Sequence, residues 1–288
     1  MNQVHVHSLF HEPTSTFTHI VYDHPQGKAA VIDPVLDYEA NSGRTHTQQL
    51  ELTIAFLREQ QLELVWILET HAHADHLSGA QILKQKQGGT VAIGEHISTV
   101  QSYFGKVFDI PTEEMEKGIS FDHLFADGET FDIGLLQGQA LHVPGHTPAD
   151  MAYLIGEALF VGDTLFMPDV GTARCDFPGG DAATLYRSIQ RLYSLPDSTR
   201  VFMCHDYPPA SRQQVQAVTT LTEEKQHNIH LRAETSEADF IARRQARDAQ
   251  LAVPNLLLPS IQVNVRGGHL PKAKANGTAY LQIPLNLI

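Results

Sequence analysis

The chain carries Thr70-His71-Ala72-His73-Ala74-Asp75-His76-Leu77-Ser78-Gly79 directly behind an unbroken apolar run, Leu64-Val65-Trp66-Ile67-Leu68. A short apolar run of this kind, following a helical pattern, reads as a strand covered on both faces. The His and Asp side chains between His71 and His76 answer no packing need of helix or strand, and imidazole and carboxylate are the ligand types of a borderline divalent cation. Open α/β sheets bind ligands just beyond the C-terminal ends of their strands. The segment therefore reads as a metal-binding loop; the alternative is a solvated, histidine-rich turn.

Outward from the loop, strands and helices alternate. Upstream, Leu50, Ile54, Leu57 and Gln61 recur at helical spacing over 47–61, and residues 18–23 and 29–34 flank a Pro25-Gln26-Gly27-Lys28 turn as a hairpin. Downstream, a helix over 78–87 stops at Gly88-Gly89, a strand covers 90–93, and another helical stretch runs through Tyr103. From Phe121 the pattern is antiparallel, with strands at 130–135, 139–143, 151–155 and 158–161. Asp181 suits the N-cap of a helix through Leu195, since Leu185, Ile189 and Leu192 share a face, and 200–204 is a further buried strand. Mixed sheets with helices outside are the predicted result.

Beyond Pro208-Pro209 the composition shifts. A polar helical stretch is predicted over 211–226 and a charged one from Ser236, where Ser236-Glu237-Ala238-Asp239 resembles a capping box. A Pro- and Leu-rich tail follows. Its Leu256, Leu257, Leu258, Ile261 and Val263 are too apolar to stay exposed, so the C-terminal extension is expected to cover the site or to form a homodimer.

Composition narrows the function. Twenty basic against thirty-three acidic residues leave a net charge of −13, which disfavours nucleic acid and anionic membrane surfaces as partners. Two cysteines among 288 residues make neither a disulfide framework nor a tetrathiolate metal site. The opening residues 1–7 have neither a basic n-region nor an apolar h-region, and no apolar run is long enough for a membrane span. A soluble cytoplasmic protein is expected. Histidine is the anomaly: seventeen, nearly as many as the lysines and arginines together.

Three more strand ends carry ligand-type residues: His146 in Pro144-Gly145-His146-Thr147-Pro148, Asp163 in Gly162-Asp163-Thr164, and His205 in Cys204-His205-Asp206-Tyr207. Singly they read as a turn histidine, a cap and a core histidine. Together with the 71–76 loop they read as one convergent site.

These motifs, in this order over about residues 15–209, resemble the metallo-β-lactamase superfamily. The resemblance implies an α/β protein, an αββα sandwich with metal at one edge of its two sheets, built by a catalytic domain over 1–209 with the extension, 210–288, packed on it. Two branches are compatible. One is the glyoxalase II type, a thiolester hydrolase in which two metals use all of His71, His73, Asp75, His76, His146, Asp163 and His205. The other is the persulfide dioxygenase branch. Gly171-Thr172-Ala173-Arg174-Cys175-Asp176-Phe177, Leu185-Tyr186-Arg187-Ser188 and His205-Asp206-Tyr207 are similar to that branch, and the tail over 254–286 is similar to a bacterial subgroup of it.

By that resemblance one Fe(II) per chain is held by His71, His146 and Asp163, a two-histidine, one-carboxylate face that leaves three coordination positions open. His73, Asp75, His76 and His205 then orient ligands and waters, or form a second metal site with zinc or another metal in a hydrolase. The substrates implied are glutathione persulfide and O2, giving sulfite and glutathione. Arg174 offers a planar guanidinium to a glutathione carboxylate, against the alternative of an ion pair with Asp176. Tyr207 closes the pocket near the metal or simply packs at a strand end. Cys175 and Cys204 are candidate persulfide-sensitive thiols, with inert buried cysteine as the alternative. A metal-binding sensor or adaptor without catalysis is the rival from another class.

Overall fold

The computed structural model describes residues 3–116 and 118–287; Met1, Asn2, Lys117 and Ile288 lie outside it. Two six-stranded sheets face each other. In the first, His5–His11, Thr16–Tyr22 and Lys28–Ile32 run antiparallel, and Glu63–Leu68, Thr90–Gly94 and His123–Phe125 add to them in parallel. The second is an antiparallel run of Thr130–Ile133, Leu136–His142, Met151–Ile155 and Ala158–Phe160. It is extended in parallel by Arg200–Phe202 and closed by antiparallel Val218–Thr220.

Side-chain alternation along each strand builds the layers. Ala30 and Ile32 point into a core between the sheets, with Leu68, Phe131, Tyr153 and Phe160, whereas the intervening Val31 points the other way. On that outer face of the first sheet lie α1 (Gln48–Glu59), α2 (Ala80–Gln87) and α3 (Ile97–Val107). The second sheet is covered by α4 (Ala182–Tyr193), α5 (Leu221–His227) and α6 (Glu237–Asp248), through Leu185, Ile189, Leu221 and Phe240. The last helix, α7 (Leu257–Asn264), returns to the first layer, where Leu257 and Ile261 join the core around Val100 and Phe104. This is the expected αββα sandwich.

Both proposed caps are made. Asp181 accepts from the Thr184 amide at 2.7 Å and Ser236 from the Asp239 amide at 3.1 Å. Two expectations are corrected. His123–Phe125 is a parallel strand, not part of the antiparallel run. The helix predicted over 211–226 forms only from Leu221: Val218–Thr220 pair with the strand Arg200–Phe202, and Thr220 caps α5 by accepting from the Glu223 amide. Val-Thr-Thr favours a strand, and a Thr N-cap starts a helix rather than continuing one.

Helix α5 also buries Glu224. Its Oε2 accepts from Asn228 Nδ2 at 2.7 Å, and the same amide group donates to the Gly171 carbonyl, so this pair shapes the segment that walls the site. Oε1 has no partner. Burial pushes the Glu224 pKa up to about 8 from its ordinary 4.5, against the pull of Asn228 and helped by Asp169 and Glu223. The folded chain therefore holds this proton where the unfolded chain has released it. The contribution to stability is full below about pH 4.5 and is lost as pH rises to about 8. Glu224→Gln is expected to gain stability relative to the parent between pH 5 and pH 8.5; urea unfolding at both values checks it, and an unchanged difference would refute it.

Candidate metal centre

One buried carboxylate sets the loop in place. Asp33 follows the strand Lys28–Ile32 with φ +49°, a conformation Asp tolerates better than most side chains. It accepts from the Thr70 amide at 2.8 Å, the Thr70 hydroxyl at 2.9 Å and His73 Nε2 at 3.0 Å. With Glu69 Oε2 3.5 Å away, Nε2 of His73 carries the proton and Nδ1 is left as an electron-pair donor. The same logic fixes the other rings. Thr70 Oγ1, which donates to Asp33, accepts from His71 Nδ1 at 3.1 Å, and the Arg174 carbonyl accepts from His146 Nδ1 at 2.7 Å. His205 Nδ1 faces Thr16 Oγ1 at 3.2 Å.

Two glycines let these segments approach. Gly162 has φ +54°, and a Cβ on it would stand 2.8 Å from the Thr70 side chain. Gly145, at φ +149°, passes so close to α4 that a Cβ would lie 2.3 Å from Leu185 Cα. The residues after them, Asp163 and His146, are thereby brought to His71.

The donor atoms form two groups. His71, His146 and Asp163 make one; His73, Asp75, His76 and His205 make the other, and within each all the donor atoms lie within 4.8 Å of one another. Asp163 serves both, with Oδ2 3.8 Å from His71 Nε2 and 3.6 Å from His146 Nε2, and Oδ1 3.5 Å from His205 Nε2. Asp75 lies 3.1 Å from His205 Nε2 and 3.3 Å from His76 Nδ1.

Buried polar atoms are ordinarily hydrogen-bonded. Here Nε2 of His71, His76 and His205, Nδ1 of His73 and Oδ1 of Asp163 are all buried with no hydrogen-bond partner. Five orphans aimed at one volume fit divalent metal, whose ligation needs those lone pairs free. The electrostatics divide the rings: against its burial, Asp33 and Glu69 hold His73 well above the ordinary histidine range, so metal binding at its Nδ1 displaces a proton. Burial, reinforced by neighbouring imidazoles, pushes His71 down well below the ordinary histidine range and His76 to about 4, keeping both neutral. Burial opposes the charge on Asp75, yet His205 and His76 hold its carboxyl far below the usual range. All seven residues expected at the centre are thus brought together.

A cavity of about 490 Å³ opens onto it, with Asp75, His146 and Asp163 at its floor and Phe166, Phe177 and Tyr207 among its walls. Tyr207 stacks on His205 at 5.7 Å between ring centroids, and its hydroxyl points at Asp75 Oδ2, 3.4 Å away. Arg174 lines the cavity too, but its guanidinium is already engaged: Nε and Nη2 donate to Asp176 at 2.5 and 2.7 Å, and Nη1 to the Ala252 carbonyl at 2.7 Å. The ion pair is therefore the arrangement present, and it ties the extension to the cavity wall. Cys175 and Cys204 are both buried, and burial pushes both thiols up, which favours inert filler over reactive thiolate.

Two supporting residues escaped the sequence reading. Asp33 had a signal, an acid between a buried strand and Pro34. Asn264 on α7 had only its polarity within an apolar helix: it accepts from the Ser78 amide and donates to the carbonyls of His73 and His76, each at 2.8 Å. The tail thus clamps the backbone of the metal-binding loop.

With this geometry the chain belongs to the metallo-β-lactamase superfamily, whose family model matches residues 11–205. A probable metallo-hydrolase of Burkholderia pseudomallei is 48% identical over 98% of this chain and 99% of its own length. Glyoxylase B2 of Dictyostelium discoideum is 47% identical, over 93% and 92%. The chain spans 65% of a β-lactamase hydrolase-like protein of Xylella fastidiosa, at 46% identity over 98% of this chain. The human mitochondrial persulfide dioxygenase ETHE1 is 26% identical over 90% of this chain and 87% of its own. The crystal structure of ETHE1 from Myxococcus xanthus superposes with a TM-score of 0.74 at 29% identity, covering 92% of this chain and all of that one. Among the described residues no helix is long and apolar enough to cross a membrane.

Asp33→Asn is expected to weaken metal binding about 10- to 100-fold, the range for losing a partner that orients a ligand, read by chelator competition. Asn264→Ala leaves the Ser78 amide and two carbonyls unpaired. It is expected to cost at least about 1–3 kcal/mol in urea unfolding and to lower metal retention.

Proposed function

We propose that the chain is an iron-dependent persulfide dioxygenase acting on glutathione persulfide. One persulfide, one O2 and one water give one glutathione and one sulfurous acid, which ionises to sulfite. The S–S bond breaks, and four electrons pass from the sulfur pair to O2. The observation that carries this is the face made by His71, His146 and Asp163, two imidazoles and one carboxylate, beneath a cavity whose floor includes the last two. That donor set is the one associated with non-haem Fe(II) oxygenases. Ferrous iron supplies the one-electron chemistry that lets a singlet sulfur compound react with triplet O2.

The protein groups do the rest. Thr70 and the Arg174 carbonyl keep His71 and His146 turned with Nε2 inward. Phe166, Phe177 and Tyr207 limit water around the reacting sulfur. Tyr207, whose hydroxyl is directed at Asp75 of the second donor group, lines the same cavity and offers that hydroxyl to the persulfide.

A two-metal thiolester hydrolase is the second reading, favoured by the completeness of the group His73, Asp75, His76 and His205 and by the metallo-hydrolase and glyoxylase names of the more similar relatives. Oxygen uptake separates the two. The iron-loaded chain is expected to consume one O2 per glutathione persulfide, to hold one iron, and to keep part of its activity as Asp75→Asn. Rapid cleavage of S-lactoylglutathione without oxygen uptake, two bound metals, and near-total loss in Asp75→Asn would establish the hydrolase instead.

A further inference from the structure

We infer that Arg247, on α6 of the extension, recognises the anionic end of the substrate, a carboxylate carried by the low-molecular-weight thiol; the choice of glutathione as probe rests on the function proposed above. Three arginines line the cavity: Arg174, Arg244 and Arg247. Two are neutralised within the fold. Arg174 is held by Asp176, and Arg244 by Asp248, with Nε at 2.9 Å and Nη2 at 2.7 Å from one carboxylate oxygen. Asp169, which also lines the cavity, is likewise taken by Arg212.

Arg247 is different: among the described residues its guanidinium has neither an ion pair nor a hydrogen bond, and it is exposed at the cavity. It stands one turn beyond Arg244 on the same helix face. The cavity that Arg247 shares with His146 and Asp163 is also lined by Val170, Ile229 and Leu251. A ligand that suits this lining carries sulfur for the His146 and Asp163 floor and a carboxylate for the free guanidinium. A guanidinium fork matches a carboxylate through two parallel bonds. The protein's net charge of −13 repels such an anion at long range, so a local cation is needed to hold it. Asking the same of Arg174 would mean breaking its bonds to Asp176 and leaving that acid unpaired.

The test uses the metal-loaded full chain and glutathione itself, titrated calorimetrically, beside glutathione diethyl ester. Arg247→Ala is expected to weaken glutathione binding about ten- to a hundredfold, the worth of a charge-assisted pair, and to flatten its salt dependence, while leaving the ester's affinity unchanged. Arg247→Lys restores part of the loss. In turnover the KM for the anionic substrate rises while kcat is held. Position 247 is an exposed helix site where alanine is well accepted, so thermal unfolding of the variant should match the parent. Parent-like glutathione binding by Arg247→Ala overturns the inference, as does loss of discrimination in Arg174→Gln alone, or an unmodified chain that binds glutathione no better than its ester. Because binding is read apart from chemistry, a chain that binds glutathione through Arg247 but takes up no oxygen supports this inference and removes the dioxygenase.

Discussion

Asp33 accepts three hydrogen bonds in the protein interior, two from Thr70 and one from His73, and the metal centre is hung on that arrangement. A carboxylate out of water is tolerated only when its lone pairs are answered. Meeting that requirement fixes the turn after the strand Glu63–Leu68, the hydroxyl that orients His71, and the tautomer of His73. From the other side Asn264 holds the carbonyls of His73 and His76. The loop is thus gripped by residues 231 positions apart in sequence (264 − 33), and its imidazoles are already turned toward the centre before metal arrives. Such preorganisation spares metal binding the cost of ordering the loop.

The sandwich explains why the donors meet at one edge. Lys28–Ile32 and Glu63–Leu68 of one sheet, and Ala158–Phe160 and Arg200–Phe202 of the other, all end on the same side, so each delivers its following residue there. The opposed apolar faces keep the sheets together through Phe131, Tyr153 and Phe160. Tyr153 adds a polar tie from within that core, its hydroxyl donating to the Glu69 carbonyl at 2.8 Å. The extension contributes twice: α7 buttresses the loop from behind, while α6 and the segment after it wall the cavity in front. Helices α6 and α7 and the segment between them are therefore part of the environment of the centre.

Much of this was legible in sequence because short-range chemistry decides it. The 71–76 cluster, the strand ends at His146, Asp163 and His205, and the caps at Asp181 and Ser236 are local patterns with local causes. The helix over 211–226 failed because a polar stretch carries little periodic signal, and pairing with Arg200–Phe202 drew Val218–Thr220 into a sheet. Arg174 shows the same limit differently: the residue type was right for a carboxylate, but the carboxylate it meets is Asp176, two positions away.

The sequence by itself determined the donor types, their order and the strands that carry them, since hydropathy and ligand chemistry are properties of single residues and near neighbours. Tertiary structure alone decided which side of each imidazole faces the metal, which of the three cavity arginines is left uncompensated, and that an asparagine near the end of the chain locks the loop. Those outcomes depend on who becomes the partner of a buried polar group. Burial makes an unanswered group costly, and only the folded chain determines which distant residue answers it.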